Sequence, residues 1–374
     1  MARRQSPLFG HNRLRLGIFA ANCSGGLAAT TVPERWAATW EDNEAVARMA
    51  DAAGIEFMLP IARWRGYGGE SDYHRTTFET ITWACGLLAA TRTLTVFGTV
   101  HAPLIHPILA AKQFVTVDHI GRGRFGLNIV CGWNEDEFEM FGERQREHDT
   151  RYVFGQEWLD IVERIWTSDR PFDFQGQFFS LKGVTGDPKP FGGSRPVLMN
   201  AGASTAGRSF GAKNCDFLFT VLVDLEKSKR DVTDIKALAT SCGRPDLEIF
   251  TTSYVVCRPT EREAEDYHRR YAIEHADWPA VDRLMMLQKQ HTRGRPPELQ
   301  QKFRERFAGG HGSYPIVGTP DRVAEQLAAI SAAGFAGTTI GFVDYRSELP
   351  YFIDNVLPRL ERMKLRQPFK GATP

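Results

Sequence analysis

The strongest constraint on the fold of this chain is a repeated alternation of short apolar runs with longer segments of helical periodicity. The apolar runs are typical of buried β-strands and occupy residues 15–20, 55–59, 94–100, 124–130, 196–200, 216–223, 247–257 and 337–342. Helical spacing of apolar residues predicts helices over 44–53, 77–91, 106–119, 151–167, 205–213, 225–240, 261–274, 320–333 and 349–364. Strands that alternate with helices run parallel, and eight such units close into a barrel. We therefore predict an α/β fold, a (β/α)8 TIM barrel in one domain over residues 1–374.

An open, doubly wound sheet is the alternative fold. It usually carries a Gly-x-Gly-x-x-Gly turn after its first strand, and this chain has no such turn there. Two segments exceed what a barrel needs, at about 172–195 and 277–316. The first is expected to hold a hairpin. The second is cationic, with Arg283, Lys289, Arg293, Arg295, Lys302, Arg304 and Arg306. It is either a lid or interaction surface, or a solvated charged helix followed by a loop.

Composition excludes several classes of protein. With 46 Lys and Arg against 45 Asp and Glu, the chain has no basic surplus for binding nucleic acid. Its 6 cysteines show no Cys-x-x-Cys pair, which argues against a zinc site or a secreted disulfide framework and favours reduced thiols in the cytoplasm. We expect no signal peptide and no membrane span, because no apolar run is long enough.

In a barrel of this kind, reactive residues lie at the carboxyl ends of the strands. Gly202 and Ser204 follow the fifth predicted strand and open a helix, whose free N–H groups suit a phosphate. The alternative is that Ser204 is only the N-cap of that helix. Arg151 and Tyr152, near the start of the helix after the fourth strand, are expected to supply a charge and a hydroxyl to the same phosphate.

Two further polar residues stand near strand ends. Asn128 can pair with a donor and an acceptor on a planar heterocycle, or it is a buried polar residue bonded to backbone. His101 is a candidate acid–base or substrate-orienting group, or a satisfied core histidine. His106, next to Pro107, is expected in a loop or at a helix start, and the remaining histidines at the surface. The acidic cluster at 135–139 has no accompanying histidine, so we predict no metal site.

The motifs of the chain resemble those of the bacterial luciferase-like flavin-dependent monooxygenases. The resemblance is carried by 128–133 (Asn-Ile-Val-Cys-Gly-Trp), Glu137, Gly142 and 148–152 (His-Asp-Thr-Arg-Tyr). Further matches are 24–27, 110–113, 118–119, 123–125, 201–204 and 317–320. Together they cover roughly residues 15–365 and are most similar to the branch of the dimethylsulfone and pyrimidine monooxygenases.

The resemblance implies a barrel that binds FMN, delivered in its reduced form by a separate NAD(P)H-dependent flavin reductase, and that uses O2. It places flavin contacts at Ala62, Arg63, Asn128, Glu137, Arg151, Tyr152, Gly202 and Ser204. Arg63 and Asn128 are expected to orient the flavin and to stabilise the charge that develops near the peroxide formed from flavin and O2. Family analogy also implies a homodimer or homotetramer.

Other polar and aromatic groups are expected to serve the substrate, a small organic molecule whose C–S or C–N bond is broken. Thr99 and His101 would place it, and Trp64 and Tyr67 would form walls of its pocket. Two other functions remain open: an F420-dependent oxidoreductase on the same barrel, which transfers hydride without oxygen, and a non-catalytic flavin-binding protein.

Overall fold

A computed structural model describes residues 6–288 and 297–371 of the chain. Lys289, Arg293 and Arg295, three of the cations in the second insertion, lie outside the described residues.

Eight parallel strands close into a barrel, which confirms the predicted fold class. In chain order the strands are β1 (Arg15–Phe19), β2 (Phe57–Leu59), β3 (Thr95–His101), β4 (Phe125–Val130), β5 (Phe172–Gln175), β6 (Ser180–Val184), β7 (Val197–Asn200), β8 (Phe217–Phe219), β9 (Glu248–Cys257), β10 (Tyr314–Gly318) and β11 (Gly337–Gly341). The closed order is β1-β2-β3-β4-β7-β8-β9-β11, with β11 pairing back to β1. The strand β10 adds to the far half of β9, and β5 and β6 form a separate antiparallel pair.

Helices cover the outside of the barrel. They are α1 (Trp40–Ala52), α2 (Thr80–Ala90), α3 (Pro107–Ile120), α4 (Glu135–Met140), α5 (His148–Thr167), α6 (Thr205–Asn214), α7 (Leu225–Ser241), α8 (Glu261–Arg269), α9 (Trp278–Leu287), α10 (Pro297–Gly310), α11 (Pro320–Ala332), α12 (Tyr345–Asn355) and α13 (Leu357–Arg362). Their buried faces carry the apolar residues whose spacing predicted them. No helix within the described ranges has the length and hydrophobicity needed to cross a bilayer.

Aromatic side chains fill the interior of the barrel below its mouth. Phe57, Phe97, Phe217 and Phe250 are each 0% exposed and pack together. Glycines make room for these rings: a Cβ at Gly17 would lie 2.4 Å from the ring of Phe57. Because this end is plugged, a ligand can enter only at the carboxyl ends of the strands.

The second insertion is a packed element of the structure. Its helices α9 and α10 share an apolar cluster with Tyr67 and Tyr73, which belong to the loop after β2. Asp277 fixes the start of α9 to that loop, since its Oδ2 accepts hydrogen bonds from the backbone N and the hydroxyl of Ser71 at 2.7 and 2.6 Å. The description as a solvated helix and loop is therefore wrong for the described part of this insertion.

Candidate active site

A cavity of about 220 Å³ lies at the mouth of the barrel. Residues from the ends of most barrel strands and from the second insertion line it: Phe19, Leu59, Pro60, Ile61, Ala62, Arg63, Thr99, His101, Asn128, Val130, Trp133, Ala201, Ala203, Phe219, Thr220, Val221, Thr252, Gln288, His311 and Ser313. The structure thus brings together Ala62, Arg63, Thr99, His101 and Asn128, which the sequence singled out. Arg63 is the one charged side chain among the described residues of this lining.

The amide of Asn128 is held by its neighbour on β3. Thr99 and Asn128 lie opposite each other in the sheet, and Nδ2 of Asn128 donates to Oγ1 of Thr99 at 3.2 Å. The Thr99 hydroxyl in turn donates to the carbonyl of Pro60 at 2.7 Å. Oδ1 of Asn128 is buried and has no hydrogen-bond partner within the described structure. This oxygen is therefore an acceptor in a fixed orientation that a ligand can use.

Arg63 and Glu137 form a buried ion pair beside the cavity. Nη1 of Arg63 donates to Oε1 of Glu137 at 2.8 Å, and the same oxygen accepts from the backbone N of Trp64 at 2.8 Å. The carboxylate thereby ties α4 to the loop after β2. Glu137 itself is not a lining residue of the cavity. Its contact with the ring or ribityl chain of a flavin stays a prediction.

His101 is buried between the cavity and this ion pair. Its Nδ1 lies 4.0 Å from Oε2 of Glu137, and neither atom has a hydrogen-bond partner among the described residues. Burial lowers the pKa of His101 to about 4, although the nearby Glu137 acts in the opposite direction. The imidazole is therefore neutral at pH 7, with one nitrogen that can donate and one that can accept.

The predicted phosphate residues gather at the start of α6, next to the cavity. Ser204 is the N-cap of this helix, because its Oγ accepts from the backbone N of Gly207 at 3.1 Å. Burial raises the pKa of Tyr152 while the neighbouring Ser204 side chain lowers it, and a Cβ at Gly207 would come within 2.6 Å of the Tyr152 hydroxyl. Arg151 donates instead to the carbonyl of Gly132, and its Nε is buried without a described partner.

Gly202 allows the loop after β7 to pass close to α6. A Cβ at this position would lie 2.6 Å from Cα of Gly207, so the close approach needs glycine. Ala201 and Ala203 line the cavity, whereas Gly202 and Ser204 do not. The proposed phosphate position and the cavity are therefore adjacent parts of one surface.

A second cavity, of about 320 Å³, adjoins the first along Ala62, Arg63, Thr99 and His101, which line both. Trp64 belongs to this second cavity and packs edge-on against Phe141 at a ring distance of 5.1 Å. Tyr67 lines neither cavity. It is 4% exposed and lies under the guanidinium of Arg63, with 5.0 Å from Cζ to the ring centre.

The expectation that the remaining histidines lie at the surface is wrong for His74 and His311. His74 is 1% exposed, and His311 lines the cavity. The two rings stack at 5.4 Å, and the Tyr73 hydroxyl lies 3.1 Å from Nδ1 of His311. These contacts are tertiary, because they join the loop after β2 to the residue that follows α10, and helical or strand periodicity does not predict them.

Comparison with known families gives one decisive match. Residues 14–337 match the model of the luciferase-like monooxygenases. The chain belongs to this family. Over 359 residues it is 32% identical to the FMNH2-dependent dimethylsulfone monooxygenase of Pseudomonas fluorescens (strain Pf0-1), covering 94% of this chain and 96% of the relative. It is 26% identical to a pyrimidine monooxygenase of Enterobacter cloacae, over 93% of this chain and 96% of the relative.

A solved structure extends the likeness to three dimensions. The fold superposes on DmoA from Hyphomicrobium sulfonivorans with a TM-score of 0.86, at 19% sequence identity, covering 97% of this chain and 91% of the other. At this identity the likeness shows the fold. The family and the branch inferred from the motifs are both confirmed.

Proposed function

We propose that this chain is a monooxygenase that takes up reduced FMN and O2 and oxidises a small organic substrate in the cavity at the barrel mouth. The observation that carries the proposal is the set of buried polar atoms left without partners around that cavity. They are Nε of Arg63, Nδ1 of His101 and Oδ1 of Asn128. Buried polar atoms are rarely left unpaired in a native protein, so a bound polar group is expected to complete them.

The residues present fit FMN. Asn128 and Arg63 would offer an acceptor and a donor to the polar edge of a planar ring, and lining residues such as Trp133 and Phe219 would supply apolar contacts to it. The start of α6, with Ser204 and Tyr152, suits the terminal phosphate because its first N–H groups and its dipole favour an anion. When bound and reduced, FMN supplies the two electrons that reduce one oxygen atom of O2 to water while the other atom enters the substrate.

The side chains of the protein orient and shield the reactants. Thr99 locks the amide of Asn128, and Glu137 locks the guanidinium of Arg63, so both groups are already in place before a ligand arrives. The neutral His101 can accept or donate a proton at the cavity wall. The largely apolar lining would limit the access of water to the bound reactants and so restrict side reactions with water.

The same proposal includes the partners of the enzyme. Since the dimethylsulfone monooxygenase of Pseudomonas fluorescens is FMNH2-dependent, we propose that an NAD(P)H-dependent flavin reductase supplies the reduced flavin. The subunits are proposed to form a homodimer or homotetramer. The reaction is proposed to break a C–S or C–N bond in a sulfone or a cyclic amide, by analogy with the dimethylsulfone and pyrimidine monooxygenases.

An oxygen-labelling experiment tests the proposal. Chemically reduced FMN, 18O2 and either dimethyl sulfone or uracil are mixed with the protein, and oxygen uptake and product mass are measured. We expect one 18O atom per product molecule and oxygen uptake that depends on substrate. Reduced FMN that reacts with O2 at its free rate, with no labelled product, would contradict a monooxygenase. Hydride transfer from reduced F420 would instead favour the alternative oxidoreductase.

A further inference from the structure

His311 holds a backbone conformation that a side chain normally avoids. Its φ is +55°, in the left-handed region where a Cβ crowds the backbone. Seven described non-glycine residues have a positive φ: Ala20, Ala38, Asp72, His74, Arg122, His311 and Lys364. His311 is the one of these that lines the cavity. Strain of this kind persists where the surrounding structure enforces it, often at functional sites.

The residues around His311 in the sequence are mostly glycines, the residue type that fits such a turn best. Gly309, Gly310 and Gly312 surround it, and Gly312 also has a positive φ, of +82°. Glycine adopts the left-handed region with little cost, and asparagine tolerates it. A histidine in this position therefore needs a reason beyond the shape of the turn.

Contacts on one side fix the ring of His311. The Tyr73 hydroxyl lies 3.1 Å from Nδ1, and His74 stacks on the ring at an interplanar angle of 17°. His74 is itself strained, with a φ of +60°, and is anchored by a 2.7 Å hydrogen bond between its Nε2 and the carbonyl of Gly26. Two histidines with left-handed backbone conformations thus pack against each other, one from the loop after β2 and one from the second insertion.

The other nitrogen of His311 is available to a ligand. The described contact of Nε2 is with the amide nitrogen of Gln288 at 3.5 Å, the outer limit of a hydrogen bond. Both side chains line the cavity. Burial, together with the charge of Arg63, lowers the pKa of His311 to about 3, so the ring is neutral at pH 7. A neutral imidazole can donate or accept one hydrogen bond but cannot pair with an anionic group by charge.

We propose that His311 is a substrate-binding residue whose Nε2 hydrogen-bonds an uncharged polar group, such as a sulfone or amide oxygen, of a substrate in the cavity. This inference rests on the proposed function and names the contact that selects the substrate. It also gives the second insertion a chemical role, because the insertion places this nitrogen in a cavity whose other walls come mainly from the ends of barrel strands and the loops that follow them.

Four variants separate binding from structure. His311→Ala and His311→Gly both remove the ring but differ in how well they tolerate the left-handed region. His311→Asn keeps a hydrogen-bonding side chain that accepts this backbone. Arg122→Gly releases the same kind of strain at an exposed turn, where φ is +51°, and is the control.

The measurements need both a stability and a binding readout. In the flavin-free protein, we expect His311→Gly to melt about 1–3 °C above His311→Ala, because glycine relieves the strained φ. The Kd for FMN should stay within about twofold of the wild type in all variants. With dimethyl sulfone or uracil, KM should rise at least about tenfold in His311→Ala and His311→Gly and recover partly in His311→Asn. Arg122→Gly should leave KM unchanged.

A direct spectroscopic test avoids dependence on turnover. In protein with 15N-labelled histidine and bound FMN, the Nε2 signal that disappears in His311→Asn should shift when dimethyl sulfone or uracil is added. If the Nε2 signal shifts but neither compound is oxidised, the result supports the binding role of His311 and contradicts the proposed function. An unshifted signal with both compounds, an unchanged KM, a lost FMN affinity, or a lower melting temperature for His311→Gly than for His311→Ala would each overturn the inference.

Discussion

Arg63 and Glu137 form an ion pair of 2.8 Å in which the two side chains are only 2% and 1% exposed. The pair joins the loop after β2 to the short helix α4, and it holds the single charge of the described cavity lining in place. Removing one partner of such a pair leaves an uncompensated buried charge, which costs more than the pair itself contributes.

Glu137→Gln is therefore expected to destabilise the flavin-free protein by about 3 kcal/mol, the lower end of the range for a broken buried pair. The glutamine keeps the size of the side chain and can still accept a hydrogen bond from the backbone N of Trp64. The loss of stability therefore measures the effect of removing the negative charge. Urea unfolding measures it. Glu44→Gln, which breaks the exposed Arg48–Glu44 contact of 2.7 Å, is the control and should cost under about 0.5 kcal/mol. Equal stability of Glu137→Gln and the wild type would contradict the role given to the pair.

The double variant Ser204→Ala with Arg151→Ala tests the phosphate position. We expect its Kd for FMN to rise at least about tenfold, because hydrogen bonds to a charged phosphate contribute about 1.5–3 kcal/mol each. Affinity for riboflavin, which lacks the phosphate, should change little. Thr39→Ala is the control, since Thr39 caps α1 through a 3.1 Å bond from Asp42 N and lies outside the cavity lining. An unchanged FMN affinity in the double variant would remove the phosphate assignment.

His101→Ala should spare FMN binding and lower turnover. The histidine lies at the wall shared by both cavities, so its loss should reduce kcat for an accepted substrate by about 100-fold, the lower end of a general acid–base contribution. His106→Ala is the matched control, because His106 is exposed, caps α3 and lines neither cavity. Steady-state kinetics at saturating reduced FMN distinguish the two. A kcat that stays at the wild-type value in His101→Ala means that the residue is a core histidine.

Buried histidines make the stability of the fold depend on pH. Burial lowers the pKa of His101 and of His268 to about 4 and that of His311 to about 3, and it also lowers the pKa of His74 well below its usual value. At pH 5.5 these groups are neutral in the folded protein but protonated once unfolded, where a histidine has a pKa of about 6.5. Unfolding then takes up protons, so stability is fully present above pH 6.5 and is lost as the pH falls towards 4.

Asp118 partly opposes this loss, because burial raises its pKa to about 6 and the folded protein retains a proton that the unfolded chain releases. Between pH 7 and 5.5 we expect a net loss on the order of 3 kcal/mol, at up to about 1.4 kcal/mol per pH unit for each histidine. Urea unfolding at both pH values measures it. His268 lies outside the cavity lining. The His268→Gln variant should take up about one proton fewer on unfolding, so its free energy of unfolding should depend less steeply on pH. A free energy of unfolding that is the same at both pH values would contradict the role given to the buried histidines.

All eight barrel strands were predictable from sequence, because a buried strand and an amphipathic helix each leave a local signature. The strand β8 is shorter than expected, at Phe217–Phe219 within the predicted 216–223. The strand β10 was missed because it lies in a charged, glycine-rich insertion and is defined only by pairing with β9. The short helix α4 was missed for a related reason, since its acidic residues show no apolar periodicity.

The site was predictable where it depends on strand ends. Thr99, His101 and Asn128 were found because the carboxyl ends of β3 and β4 meet at the barrel mouth. Both interpretations of Ser204 remain compatible with the structure, since the N-cap bond to Gly207 leaves the first N–H groups of α6 without a described partner. His74 and His311 required tertiary contacts, and a lone histidine among glycines was the one signal available in the sequence.

The most direct measurement of the central claim is a crystal structure of the protein soaked with FMN. We expect the flavin ring to lie in the cavity beside Arg63 and Asn128, with its phosphate at Ser204 and Tyr152. A cavity that remains without flavin, or a flavin bound elsewhere on the protein, would contradict it.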